Sequence, residues 1–138
     1  MIKEFQGEYR WLSNFAPCAV NFEGESYDSV EHAYQASKTL CPTERSCFKG
    51  ITAGHAKRMS RNITIRDDWD AVKLENMRWL LSQKYLTPKY KKLLLDTGDC
   101  EIQEGNRWGD KFWGVCLKTG EGENHLGRMI AEIREAIK

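Results

Sequence analysis

No stretch of this 138-residue chain approaches the roughly 18 consecutive apolar residues that a membrane-spanning helix needs. The opening "MIKEFQGEYRWL" lacks the basic-then-apolar layout of a secretory signal, so the expected location is cytoplasmic, with no membrane partner. Five cysteines (Cys18, Cys41, Cys47, Cys100, Cys116) form no CxxC pair and have no Cys–His spacing suited to zinc, which suits reduced thiols. His32, His55 and His125 lack a HExxH-type partner, so neither a metal nor any other cofactor is expected. Low-complexity segments and internal repeats are absent. Neither sign of charge prevails: 21 Lys and Arg against 20 Asp and Glu leave +1, so any anionic ligand must be held by local donors rather than by a global field.

What is present suits one globular domain spanning 1–138 with a single core. From Phe5 to Phe22 the aromatic, proline-broken text predicts short strands or loops. Asp28 and Ser29 are N-cap residues for a helix from about Val30, unbroken to Leu40 and ended by Pro42. Thr52 or Gly54 opens a short helix through "AGHAKRMS", followed by a linker at "RNITIRDD". Leu74, Met77 and Leu81, with Leu80 beside them, predict a longer helix from about Asp68 to Tyr85. Thr87 and Pro88 start another that runs to Leu95. Glycines and aromatics between Cys100 and Gly127 argue for short strands and tight turns, and Leu126, Met129, Ile130, Ile133 and Ile137 stripe a final helix from about His125. The fold class is therefore mainly α, α+β with few short strands.

The densest chemistry lies in "YDSVEHAYQASK", Tyr27 to Lys38. Glu31 falls in the first turn of its helix, where unpaired N–H groups and the positive dipole end favour an ionised carboxylate. Gln35 and Lys38 share its face at four- and seven-residue spacing, with Tyr34 on the edge and His32 beside it. An ordinary solvated helix face offers the same charges; a ligand-lining wall explains the tyrosine and histidine as well. In "GEGENHLGR" the glycines lead into Asn124, an N-cap candidate, so backbone donors open towards a helix start as phosphate sites require. It is neither a Walker A loop nor GxGxxG, and a glycine-rich connection is the alternative. In "GDKFWG", Asp110 and Trp113 offer a second carboxylate and a flat aromatic surface, although a tryptophan is more often core.

Together with "LSNF" (Leu12 to Phe15), "HAKR" (His55 to Arg58), "DDWDAVKLENMRWLLSQKY" (Asp67 to Tyr85) and "LLLDTG" (Leu93 to Gly98), these stretches resemble the NADAR family, the YbiA-like proteins, in the family's order and over nearly the whole chain. The resemblance implies a compact, mainly α, single-domain fold and an N-glycosidase that cleaves the bond between ribose C1 and a nitrogen. Two substrate types go with the family: phosphoribosylamino-pyrimidine intermediates of riboflavin synthesis, and ADP-ribose on guanine in nucleic acid. Carried over by position, the S-x-E-H glutamate falls on Glu31, and the D-x-x-W-G aspartate and tryptophan on Asp110 and Trp113. Ser13 and Asn14 match S-N-F, Lys57 the A-K pair with Arg58 beside it, and Asn124 and Gly127 match N-x-L-G.

The expected mechanism makes Glu31 a general base and electrostatic stabiliser of the charge that builds on C1, with Asp110 positioning the ribose or assisting the leaving group and Trp113 or Tyr34 flanking the base. Phosphates are expected at the 120–127 turn and at Lys57 or Arg58, and ribose hydroxyls at Ser13 and Asn14. The expected partner is thus a small ribosyl-phosphate or ADP-ribosyl substrate, with nucleic acid only as a substrate and the oligomeric state open. A non-catalytic module that senses ADP-ribose or a nucleotide is the rival from another class.

Overall fold

The computed structural model describes residues 1–138, and the chain divides into two compact units. One is central, Asn14–Lys84; the other is terminal, built from Met1–Ser13 and Tyr85–Lys138. Six α-helices and four very short strands make it mainly α, as expected. No helix is long and apolar enough to cross a membrane.

In the central unit, β1 (Val20–Phe22) pairs antiparallel with β2 (Glu25–Tyr27), with Val20 opposite Tyr27. The two linking residues, Glu23 and Gly24, have φ of 48° and 86°, the left-handed pair that tight hairpins use. Two residues after β2 the chain enters α1 (Val30–Ala36), where Ser29 caps the helix by accepting a hydrogen bond from the His32 N–H at 3.2 Å. α1 packs against both strands, α2 (Pro42–Ser46) and α3 (Ala53–Met59), and all seven of its residues are buried. Thr52 caps α3 in the same way.

α4 (Trp69–Leu86) buries Met77, Leu80, Leu81 and Lys84 at helical spacing. The Gln83 amide bonds both ways with the Asn21 backbone, accepting from its N–H at 2.8 Å and donating to its carbonyl at 2.7 Å, so α4 extends the edge of β1. Leu74, expected on the core stripe, is instead exposed, because the buried face begins one turn later at Met77.

The first helix is shorter than the sequence suggests. It ends at Ala36, where the Ser37 hydroxyl donates to the Tyr34 carbonyl at 2.7 Å and so competes with the helical ladder. Pro42 opens α2 at its first turn rather than closing α1.

The terminal unit begins with a 3-10 turn, Gly7–Leu12, where loops or strands were expected. α5 (Pro88–Leu95) follows Thr87 with proline at its start, as predicted. β3 (Gly105–Asn106) and β4 (Val115–Cys116) pair in parallel, and Ile2 bridges Ile102. α6 (His125–Ala136) buries Leu126, Met129, Ile130 and Ile133 along one face, as its pattern required.

Candidate functional site

Glu31 lies in the first turn of α1 and is 7% exposed, which removes the solvated-face alternative for this helix. Its N–H donates to the Asn14 carbonyl at 3.0 Å, so the chain segment before β1 fixes the start of α1. Gln35, one turn on, donates from Nε2 to Glu31 Oε1 at 2.8 Å. Oε2 of Glu31 receives no hydrogen bond from the protein. Asn14 Oδ1 and Gln35 Oε1 are fully buried and likewise unpartnered, although the Asn14 amide reaches Met77 Sδ at 3.6 Å. Three neighbouring buried residues, Glu31 joined to Gln35 by its side chain and to Asn14 through the backbone, thus hold acceptor atoms with no donor to meet them.

The helix start is not the main influence on Glu31. Burial is the larger effect and pushes its carboxyl above the usual range, while the Gln35 amide, Lys57, Lys38 and His32 pull the other way. Lys38 moves in the opposite direction: burial lowers its ammonium, Glu31 partly restores it, and Lys57 and Lys73 add to the lowering. A carboxyl raised and an amine lowered within electrostatic reach of each other are suited to exchanging protons with a ligand.

Lys38 lies beyond the end of α1 rather than on its face. Its Nζ sits 5.4 Å from the Tyr34 ring centre and 5.8 Å from that of Trp69, and the two rings are 5.3 Å apart. Lys57 and Arg58 project from the exposed side of α3, and Arg58 forms no ion pair. His32 was expected to bind substrate, but both of its ring nitrogens are taken. Nδ1 is 2.6 Å from Ser29 Oγ and Nε2 is 2.7 Å from the Ile51 carbonyl, so the imidazole pins α1 to the segment before α3.

Asp110, Trp113, Asn124 and Gly127 belong to the terminal unit, with Ser13 at its edge. Asp110 Oδ1 accepts from the Phe112 and Trp113 N–H groups at 3.1 and 2.9 Å, and its own N–H donates to Asn106 Oδ1 at 2.9 Å. This carboxylate holds the "GDKFWG" turn through one oxygen and leaves Oδ2 unpartnered. Trp113 is half-buried, edge-on to Phe112 at 4.9 Å. Ser13 is half-buried and ends the 3-10 turn, donating its N–H to the Arg10 carbonyl.

The turn before α6 departs from the expected phosphate cradle. The N–H groups of Asn124, His125 and Leu126 donate to the carbonyls of Gly114, Phe112 and Trp113 at 3.2, 3.2 and 2.9 Å, so these donors are spent. Asn124 stands at the N-cap position in a left-handed conformation and does not cap. Its side chain instead accepts from the Glu104 N–H and donates to the Ile102 carbonyl, both at 3.0 Å. Gly127 passes so close to the Ile102 carbonyl and the Asn124 amide that a Cβ has no room. Both residues knit the unit together.

Trp69 and Arg66 were not assigned by sequence reasoning. Trp69 meets Tyr34 across 35 positions of sequence, and no local pattern announces such a pair.

The NADAR domain profile matches residues 2–138. N-glycosidase Npun_R5314 of Nostoc punctiforme is 35% identical over 137 residues, covering 94% of this chain and 86% of that protein. N-glycosidase YbiA of Escherichia coli is 31% identical over 134 residues, covering 94% and 82%. Riboflavin biosynthesis protein VVA0006 of Vibrio vulnificus is 35% identical over 133 residues; the match takes in 93% of this chain but only 35% of that longer protein. The NMR structure of Escherichia coli YbiA superposes with a TM-score of 0.83 at 28% identity, over 99% of this chain and 86% of that one.

Proposed function

Because the chain belongs to the NADAR domain family, we propose that it is a hydrolase of N-glycosyl bonds in which Glu31 is the catalytic carboxylate. The observation that carries the assignment of Glu31 is the buried, acceptor-rich group of Glu31, Gln35 and Asn14, whose unpartnered oxygens call for the donors of a ligand. Water and ribose hydroxyls are such donors.

Cleavage of a ribosyl C–N bond places positive charge on C1 and the ring oxygen while the bonding electrons leave with nitrogen. Glu31 stabilises that charge and takes the proton of the attacking water; the departing nitrogen takes up a proton in turn. A carboxyl raised by burial is a stronger base than an ordinary one, which suits the role. Tyr34 flanks the leaving group, and Asn14 bonds ribose hydroxyls; Ser13 is carried by the S-N-F motif alone. Asp110 and Trp113 are carried as further site residues only by the family motif they match.

Phosphate is assigned to Lys38, Lys57 and Arg58 rather than to the 120–127 turn, where the N–H groups of Asn124, His125 and Leu126 are used internally. The proposed substrate is a phosphoribosylamino-pyrimidine, consistent with the name of the Vibrio vulnificus relative. One feature favours ADP-ribose on guanine as a second reading. Residues 45–66 contain no Asp or Glu, and Arg58 and Arg61 stand exposed without ion pairs, as a strand-binding surface needs.

Incubation with a phosphoribosylamino-pyrimidine and, separately, with an ADP-ribosylated guanine oligonucleotide tests both, with products separated by mass. Release of the free base or amine from either supports the hydrolase and selects the substrate. Stoichiometric binding of ADP-ribose with neither compound cleaved would instead make the domain a sensor.

A further inference from the structure

Lys38 stands just outside α1, so the helical ladder does not fix it, yet its ammonium is held in a defined place. Two elements hold it. The backbone N–H of Arg66 donates to the Lys38 carbonyl at 2.7 Å, and Arg66 Nη1 reaches the Ser37 carbonyl at 3.5 Å. The Arg66 guanidinium is itself locked by a two-point fork on Asp68, Nε to Oδ1 at 2.6 Å and Nη2 to Oδ2 at 3.0 Å. The Arg66 carbonyl then accepts from the Trp69 N–H at 3.2 Å, and α4 begins. That turn brings the Trp69 indole against Tyr34, with the Lys38 ammonium within cation–π range of both rings.

We propose that Arg66 and Trp69 are positioning residues that clamp the Lys38 ammonium within electrostatic reach of Glu31, the fork fixing the backbone and the indole completing a two-ring seat. The inference rests on the proposed function only in taking Glu31 and Lys38 as parts of one site. The charged groups that bear on Lys38 are Glu31 from α1, Lys57 from α3 and Lys73 from α4. Against that background, loss of the ring and loss of the fork have opposite effects. Replacing the indole by an aliphatic side chain keeps the site dry but removes the π face that favours the ammonium, so Lys38 should lose its proton at lower pH. Loosening the fork admits water, which relieves the burial that depresses Lys38, so its proton should be lost at higher pH.

The test reads Lys38 directly and needs no substrate. The full chain is labelled with isotopic acetic anhydride across a pH series, and the acetylation of Lys38 is quantified by peptide mass spectrometry. Trp69→Leu should lower the Lys38 titration midpoint by about half a pH unit, and Trp69→Phe should lower it less. Arg66→Lys, which keeps the charge but loses the fork, should raise it. Circular dichroism identifies any variant that fails to fold, and the sign observed in a folded variant decides. A wild-type midpoint in folded Trp69→Leu and Arg66→Lys, or a shift of the same sign in both, overturns the clamp. Turnover of Glu31→Gln is measured separately, so failure of the catalytic assignment leaves this result readable and is not mistaken for it.

Discussion

Two stretches of this chain read alike in sequence and differ in structure. Residues 110–127 and residues 14–38 each set carboxylates, amides and a helix start in company with aromatics. In the terminal stretch most of those groups are consumed, Asp110 Oδ2 apart: Asp110 Oδ1 holds two backbone N–H groups, Asn124 bridges Glu104 and Ile102, and the first N–H groups of α6 meet carbonyls. In the central stretch Glu31, Gln35 and Asn14 are more deeply buried than Asp110 and Asn124, yet keep oxygens unspent. Native proteins leave few buried polar groups unsatisfied, so these spare acceptors set the central stretch apart from the terminal one.

The largest test of that contrast is Glu31→Gln. Turnover should fall by roughly three orders of magnitude or more, about 4 kcal/mol of transition-state stabilisation, with circular dichroism unchanged. Near-normal turnover would erase the distinction between the two stretches. In the terminal stretch the expected injury is to stability instead. Gly127→Ala should cost about 1–3 kcal/mol in urea denaturation, because its Cβ meets the Ile102 carbonyl and the Asn124 amide; an unchanged midpoint would remove the tight-packing account.

Asp110 sharpens the comparison, since two substitutions separate its roles. Asp110→Ala loses the acceptor for two N–H groups and should destabilise by about 0.5–2 kcal/mol. Asp110→Asn keeps that acceptor and should preserve the melting temperature while slowing turnover less than Glu31→Gln does. Full activity in Asp110→Asn would confine the residue to its turn.

The smallest expected effect is one of pH. Burial raises the folded pKa of Glu31 above its unfolded value of 4.5, so its contribution to stability is complete below 4.5 and is lost as pH rises through the folded pKa. Glu31→Gln escapes that loss. Its melting temperature should exceed the wild type's most at neutral pH, and the gain should shrink as pH falls towards 4.5. A gain independent of pH would contradict the burial effect.

Much of the architecture was legible because its causes are local. Ser29 and Thr52 cap where expected, Pro88 opens α5, and the apolar stripe of α6 is buried. The misreadings share a cause at longer range. Pro42 looked like a terminator, but Ser37 had already drawn the chain out of the helix by bonding the Tyr34 carbonyl. His32 looked available until Ile51, nineteen residues on, took its second nitrogen. Asn124 looked like a cap until Glu104 and Ile102 claimed its amide. The motif that placed Glu31 gave its position but not the direction in which its carboxyl shifts, because the first-turn dipole can be read from sequence while complete burial of α1 depends on α2, α3 and the hairpin.

The most direct measurement is a crystal structure of the Glu31→Gln variant soaked with ADP-ribose or ribose 5-phosphate. The account predicts the anomeric carbon about 3–3.5 Å from the substituted side chain, with ribose hydroxyls donating to the Asn14 and Gln35 oxygens. A sugar bound with C1 turned away from α1, or seated where those oxygens stay unpartnered, would contradict it.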